Sequence, residues 1–243
     1  MKRVSRVLFG ALVLAQVAYS RVPEGRRPQA TRAIVGLMLA TSLAEAGGAR
    51  GARGAALVAG AGGVGFATEL VGVATGKPFG HYSYGDGLGR KVGGVPLLAA
   101  AAWAMMSRPA WTAAGLVDER TVVRVPLAAG ALTAWDVFLD PRMVRDRYWT
   151  WPGGGRYEGI PASNFAGWYL TALLAFAPWA VIERSGKVSS SDDGALALYV
   201  WTWVGETFAN LFIWRRATVA GGGGLAMGAF AVPALIRRRA LRS

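Results

Sequence analysis

The chain has 243 residues, of which 53% are hydrophobic, and a formal net charge of +13. Cysteine is absent and His81 is the single histidine, which excludes a disulfide framework, a thiol nucleophile and any site that needs two imidazoles. The positive charge comes mostly from arginines in short segments between apolar blocks, so anionic lipid headgroups are a better expected partner than nucleic acid.

The apolar residues fall in blocks close to the length that crosses the hydrocarbon of a bilayer. In chain order the predicted spans are 4–20, 33–46, 54–75, 93–107, 121–139, 165–182, 195–214 and 217–236. The second and fourth blocks are short and the eighth is rich in glycine, so we predict seven or eight spans. The fold class is therefore predicted to be all-α: a polytopic transmembrane helical bundle, one domain over residues 1–243, passing several times through the cell membrane.

The amino terminus has a basic start, an apolar centre and a small-residue site around Ala18, which is also the pattern of a cleavable signal peptide. Because further spans follow at once, we expect a first transmembrane helix. The arginines and lysines divide almost evenly between the two sides of the predicted bundle, so they do not decide its orientation.

Glu69 lies near the end of the third predicted span. Gly65, Gly72 and Gly76 share its helical spacing, a pattern of small residues that lets transmembrane helices approach closely. We therefore expect Glu69 to face the interior of the bundle. Carboxylates inside a membrane are costly and commonly functional. The alternative is a purely structural hydrogen bond to a neighbouring helix.

Asp136 and Asp140 lie one helical turn apart at the end of the fifth predicted span. Two adjacent carboxylates in a poorly solvated place disfavour double ionisation, so one of them is expected to keep its proton. A protonated carboxyl group suits acid chemistry on an apolar substrate. The structural alternative is that Asp140 ends the helix before Pro141 while Asp136 pairs with a loop arginine.

Glu206 and Asn210 repeat this spacing in the seventh predicted span, with Trp203 one turn earlier. Pairing between helices is the structural alternative for them. In an eight-span topology, helices three, five and seven end on the same membrane face. Four carboxylates should then approach that face: Glu69, Asp136, Asp140 and Glu206.

Aromatic residues crowd the segments beside these acids. Trp149 and Trp151 follow the fifth predicted span, and Trp168 begins the sixth. They are typical of an interfacial aromatic belt, yet their ring faces also suit a polyene or a transient carbocation. His81 is a lone imidazole, which is more typical of a hydrogen-bonding loop residue than of a base.

Three segments together resemble a known family: GKPFGHYSYGDGLGRKVGGVPLLAAAAW, DVFLDPRM and WTWPGGGRYEGIPASNFAGW. They are similar to integral-membrane carotenoid biosynthesis proteins, a family that includes carotenoid 1,2-hydratases and bisanhydrobacterioruberin hydratases. The resemblance covers residues 65–168 well and the flanking spans by hydropathy alone. It implies addition of water to the terminal 1,2 double bond of an acyclic C40 or C50 carotenoid, which gives a tertiary alcohol.

The residue roles that fit this reaction follow from combining the resemblance with the acids. Asp136 or Asp140 would donate the proton, while Glu69 and Glu206 would hold water or stabilise the cation. The predicted substrate-binding residues are Phe79, His81, Tyr82, Tyr84, Trp149, Trp151, Asn164, Trp168, Trp203 and Asn210. No metal ligand and no cofactor is predicted. The expected partners are the acyclic carotenoid, membrane lipid and other enzymes of the carotenoid pathway.

Two other functions remain open at this stage. Membrane prenyltransferases hold magnesium diphosphate with aspartates at the spacing of Asp136 and Asp140, and nearby arginines could bind phosphate. Such enzymes usually need a second aspartate-rich motif on the same face, whereas Asp192 and Asp193 are predicted on the opposite side. A carotenoid- or lipid-binding protein without catalysis is the other alternative.

Overall fold

The computed structural model describes residues 3–183 and 188–242, so both ends of the predicted domain lie outside the described residues. The all-α prediction is confirmed. The helices are α1 (Arg3–Ala18), α2 (Arg27–Thr75), α3 (Leu97–Val117), α4 (Thr121–Arg145), α5 (Ala162–Ile182), α6 (Asp193–Phe208) and α7 (Ala217–Ala240). Four two-residue strands occur in the loops: β1 (Ser83–Tyr84), β2 (Lys91–Val92), β3 (Val95–Pro96) and β4 (Trp149–Thr150).

Helix α2 folds back on itself at Gly51. This residue has φ 64° and ψ −156°, a backbone conformation that interrupts the helix and that glycine adopts most readily. A Cβ atom built on Gly54 would lie 2.5 Å from the carbonyl oxygen of Ala46, although residues eight apart in a straight helix are separated by about 12 Å. The two arms, 27–50 and 52–75, therefore form a helical hairpin and contain the predicted spans 33–46 and 54–75.

Five helical segments among the described residues are long and apolar enough to cross a membrane. They are Glu24–Thr75, Thr121–Arg145, Ala162–Ile182, Ser190–Ile213 and Ala217–Ala240. Large apolar side chains such as Val122 and Leu225 are exposed on the outer surface, as expected for a protein surrounded by lipid. The count of five treats the α2 hairpin as one segment, so the seven or eight spans of the sequence analysis stay a prediction.

Helices α3 and α4 run well past the ends of their predicted spans. The predicted span ends at residue 107, but α3 continues to Val117, and the guanidinium of Arg108 pairs inside the bundle with Glu183 and Asp192.

Helix α4 likewise continues through Asp140 and Pro141. Proline cannot donate to the carbonyl four residues earlier. That carbonyl, of Val137, instead accepts a hydrogen bond of 2.9 Å from the Tyr157 hydroxyl. Asp140 therefore lies within a continuing helix and does not end it.

The packing brings the loops after α2 and α4 together at one end of the bundle. Helix α3 lies at the centre and packs against α2, α4, α6 and α7. Strand β1 pairs antiparallel with β4, so that Tyr84 lies opposite Trp149. Strands β2 and β3 pair with each other and lead into α3. The aromatic loops thus cover the ends of α2 and α4 and the start of α5.

Candidate active site

Asp136 and Asp140 lie side by side on α4, and a single amide holds both. The Asn164 side-chain nitrogen, at the start of α5, donates to Asp136 Oδ2 over 3.0 Å and also to Asp140 Oδ2. The indole nitrogen of Trp149 donates to Asp140 Oδ1 over 3.1 Å. Asp136 Oδ1 is buried and accepts no hydrogen bond from the described residues. The structural alternative, in which Asp136 pairs with a loop arginine, does not hold, because Asp136 contacts a neutral amide instead.

Glu69, on the second arm of α2, is held by three neutral donors. Its Oε2 accepts hydrogen bonds from the hydroxyls of Tyr82 and Tyr84, the latter over 2.8 Å. Its Oε1 accepts a hydrogen bond of 3.1 Å from the indole nitrogen of Trp103. Charge-assisted hydrogen bonds of this kind are stronger than neutral ones, so they fix the direction of the carboxylate.

The glycines beside Glu69 make room for these donors. A Cβ atom on Gly65 would lie 2.0 Å from the ring of Trp103, and one on Gly72 would lie 2.9 Å from the Tyr82 hydroxyl. Side chains at either position would push away the rings that hold the carboxylate. The predicted small-residue stripe therefore serves close approach of aromatic rings from α3 and the following loop.

The two tyrosines keep their protons. Burial raises the pKa of Tyr82 and of Tyr84 well above the ordinary tyrosine value, and the adjacent negative charge of Glu69 raises both further. A neutral hydroxyl can donate to a carboxylate, whereas a phenolate cannot. Both tyrosines are therefore hydrogen-bond donors over the whole physiological pH range.

Glu69, Asp140 and Asn164 line one small cavity, the acid cavity, whereas Asp136 lies behind its wall. Its volume is about 50 Å³. A site needs about 10–15 Å³ to hold one water molecule, so ordered water fits between the acids. Aromatic rings form much of the wall: Phe79, Tyr82, Tyr84, Trp103, Trp149, Trp151 and Trp168.

These rings are packed in pairs around the cavity. Trp103 stacks on Trp168 with centroids 3.9 Å apart, and Tyr82 stacks on Trp151 at 5.6 Å. Trp135 meets the edge of Trp168 at 6.1 Å. Ring faces carry negative charge density and attract cations. Within residues 3–183 and 188–242, no arginine or lysine forms an ion pair with Glu69, Asp136 or Asp140. The cavity is thus suited to a positively charged species.

Besides Asp136, four predicted site residues lie outside the acid cavity. Glu206 pairs with Arg142 over 3.5 Å and accepts a hydrogen bond from Asn210, in a neighbouring cavity. Trp203 donates to the carbonyl of Gly224 on α7. His81 is exposed. Glu206 therefore contacts α4 through Arg142 and borders the neighbouring cavity, not the cavity that Glu69 and Asp140 line.

Sequence reasoning missed Trp103 as a site residue, although it ends one of the segments that carry the resemblance. The sequence did contain a signal for a contact between Trp103 and Glu69. A buried indole N–H needs an acceptor, and Glu69 is an acidic residue within the neighbouring predicted span. Thr31 and Val35, from the first arm of α2, also line the acid cavity. No pattern in the sequence indicates them, because the hairpin at Gly51 alone brings that arm to the site.

The second aspartate pair does not face the first. Asp192 pairs with Arg108 and, over 2.9 Å, with Arg50 at the opposite end of the bundle. Asp193 pairs with Arg238 over 2.6 Å. In the described parts of the chain, no three histidine or acidic side chains cluster as a metal site would require.

Comparison with known proteins gives the chain a family. The family described as carotenoid biosynthesis protein matches residues 6–230. A bisanhydrobacterioruberin hydratase from Haloarcula japonica is 33% identical over 115 residues, which make up 45% of this chain and 39% of that relative. The chain thus matches about two fifths of the relative's length. No solved structure matches the chain. Because the family match covers most of the sequence, the chain belongs to the carotenoid biosynthesis protein family.

Proposed function

We propose that this protein is a multi-pass enzyme of the cell membrane that hydrates an acyclic C40 or C50 carotenoid. Water would add to the terminal 1,2 double bond and give a tertiary alcohol. The family, the relative named as a hydratase and the five apolar helices support this function. The observation that carries it is the placement of Asp140 and Glu69 on one aromatic cavity that has room for water.

Asp140 is the proton donor in this proposal. Because Asp136 and Asp140 share the Asn164 amide, two negative charges would lie side by side in a buried place, so the pair retains one proton. Asp140 lines the cavity, whereas Asp136 does not. Transfer of the proton from Asp140 to C2 of the terminal double bond leaves a tertiary cation at C1.

Glu69 and the aromatic rings stabilise that cation. The carboxylate is already oriented by Tyr82, Tyr84 and Trp103, so it does not reorganise as charge develops. The faces of the surrounding indoles add cation–π attraction in a poorly solvated cavity.

Water then completes the reaction. A water molecule in the acid cavity attacks C1, forming the carbon–oxygen bond, and its extra proton passes to the ionised Asp136–Asp140 pair. The enzyme returns to its starting state, and water is the only reactant besides the carotenoid. No electrons are transferred, so the proposed reaction needs no redox cofactor. Glu206 would act in the neighbouring cavity and not at the reacting carbon.

The two alternatives receive less support. Prenyl transfer would place a diphosphate between two aspartate-rich motifs, but Asp192 and Asp193 are paired with arginines at the other end of the bundle. A binding protein without catalysis needs the aromatic rings but gives no role to the buried carboxylates of Glu69 and Asp140, which border one cavity.

The test is to express the chain in a host that accumulates lycopene or another acyclic carotenoid and to measure the molecular masses of the extracted pigments by mass spectrometry. We expect a gain of one or two water molecules. Asp140→Asn should abolish the gain, whereas Asp86→Asn, which changes a fully exposed carboxylate, should leave it intact. A gain of an isoprenoid unit would establish prenyl transfer instead. Unchanged pigment, with the protein present in the membrane, would contradict hydration of the supplied carotenoid.

A further inference from the structure

A second and larger cavity lies beside the acid cavity, between α1, the first arm of α2, α4 and α6. We call it the lateral cavity. Its volume is about 240 Å³, compared with about 50 Å³ for the acid cavity. Its wall is mainly apolar and aromatic and includes Val17, Met38, Trp135, Phe138, Trp201 and Gly205.

Only one layer of side chains separates the two cavities. Five residues line both of them: Thr31, Val35, Met105, Leu139 and Met143. Two of the five are methionines, whose flexible side chains adapt readily to a ligand. Trp135 also connects the cavities, because it lines the lateral cavity and meets Trp168 of the acid cavity at 6.1 Å. A chain-like molecule in the lateral cavity can therefore place its end beside Asp140.

The lateral cavity opens sideways, between α1 and α6. Three of its lining residues are largely exposed on the outer surface: Val17 at 55%, Phe208 at 56% and Ile213 at 44%. All three are apolar, and two belong to a segment long and apolar enough to cross a membrane. The residues 209–213 form a π-helical turn, an irregularity that is frequent at functional sites. A molecule dissolved in lipid can therefore reach this opening without crossing water.

The charged groups of the lateral cavity are engaged with one another. Arg142 lies over the ring of Tyr19 at 4.4 Å and over Trp214 at 5.3 Å, and it pairs with Glu206 over 3.5 Å. Trp201 donates to Gln16 over 2.6 Å. Much of the remaining wall offers apolar and aromatic contact, which favours an apolar occupant.

We propose that the lateral cavity binds the polyene chain of the acyclic carotenoid whose end reacts at Asp140. This assignment rests on the proposed hydratase function, because it extends the same site. The acid cavity has room for water and an end group, so the rest of a long conjugated chain needs adjoining apolar space. The lateral cavity supplies that space beside the acid cavity, and its indole and phenyl rings can pack on the polyene.

Gly205 offers a way to fill the lateral cavity with little strain. A Cβ atom built there would meet only Trp201, at 3.9 Å, so leucine fits the backbone and projects into the cavity. The matched control is Gly221→Leu on α7. That glycine is exposed, a Cβ atom there has no neighbour within 4 Å, and it lines neither cavity.

The experiment titrates the purified full-length protein with lycopene and follows circular dichroism in the visible range. Lycopene is achiral, so it shows visible circular dichroism only when the protein holds it in a chiral conformation. Wild type and Gly221→Leu should bind alike. Gly205→Leu should weaken binding at least about tenfold, equivalent to about 1.4 kcal/mol, because the leucine side chain would occupy space that the polyene needs. Equal binding by Gly205→Leu, or no signal from wild type, would overturn the assignment.

The same variants separate this assignment from the reaction itself. Binding by wild type without a change of pigment mass would contradict hydration while supporting the lateral cavity. Hydration that persists at the wild-type rate in Gly205→Leu would contradict the lateral cavity while supporting hydration.

Discussion

The bundle buries carboxylates at both of its ends, and the groups that hold them differ. Around the acid cavity, Glu69, Asp136 and Asp140 are held by tyrosine, tryptophan and asparagine donors, all neutral. At the other end, Glu183 and Asp192 are held by Arg50 and Arg108; we call these four residues the arginine cluster.

This difference favours the acid cavity as the place of the proposed reaction. A carboxylate paired with a buried arginine is electrically neutralised and serves mainly to join helices. A carboxylate held only by neutral donors has no positive charge beside it to offset its own. It can therefore act on a nearby charge and exchange a proton. Glu69 and Asp140 also border the acid cavity, whereas Glu183 of the arginine cluster accepts a further hydrogen bond of 2.9 Å from Trp111.

Substitution of the aspartates should give the largest effect on activity. We expect Asp140→Asn to slow hydration by about 10²- to 10⁴-fold, the usual contribution of a general acid. Asp136→Asn should cost less, because Asp136 lies behind the cavity wall and acts through its neighbour. Pigment mass ratios over time measure both. If Asp136→Asn proves the more damaging, the assignment of the donor must be reversed.

At the arginine cluster the effect should fall on stability. Arg108→Met leaves Asp192 and Glu183 short of a partner, which typically costs about 3–5 kcal/mol. Thermal unfolding in detergent should then begin at a clearly lower temperature. Arg120→Met, which removes an exposed pair with Asp118, is the matched control and should change little. A stable Arg108→Met protein would show that the cluster is not what joins these helices.

Loss of the Glu69 charge should have an intermediate effect on the rate. Glu69→Gln keeps the size and most hydrogen bonds but removes the negative charge that faces the cation. We expect hydration to slow by about tenfold to a hundredfold, equivalent to about 1.4–2.8 kcal/mol of transition-state stabilisation. Glu24→Gln, at an exposed position, is the control. Unchanged hydration would leave Glu69 with the structural role considered for it from the sequence.

The smallest expected effect comes from a single donor to Glu69. Tyr84→Phe removes the 2.8 Å hydrogen bond but leaves Tyr82 and Trp103 in place. We expect hydration to slow by about threefold to tenfold, because one hydrogen bond to a charged group is worth about 1.5–3 kcal/mol and is partly replaced. The control is Tyr199→Phe, whose hydroxyl donates to the backbone carbonyl of Ala131. An equal loss in both variants would indicate a general packing effect.

Much of the acid cavity was predictable from the sequence because its residues follow local rules. The i, i+4 spacing places Asp136 and Asp140 on one face of α4 in any helix, and the glycine stripe turns Glu69 inward. The aromatic residues beside the acids were apparent from the sequence, and the resemblance added Asn164. The continuation of α3 past Arg108 and of α4 past Pro141 was harder to predict, since the partners that permit it lie far along the chain.

The helical class, the apolar blocks and the inward-facing acids with their aromatic neighbours follow from the sequence, because composition and helical period depend on residues close together in the chain. Which acids share a cavity depends on the packing of the helices. This packing placed Glu206 beside Arg142 and apart from Glu69, and it brought Thr31 to the site through the hairpin at Gly51. It also created the lateral cavity, whose wall comes from helices distant in sequence. Such contacts depend on how whole helices pack, which no local pattern specifies.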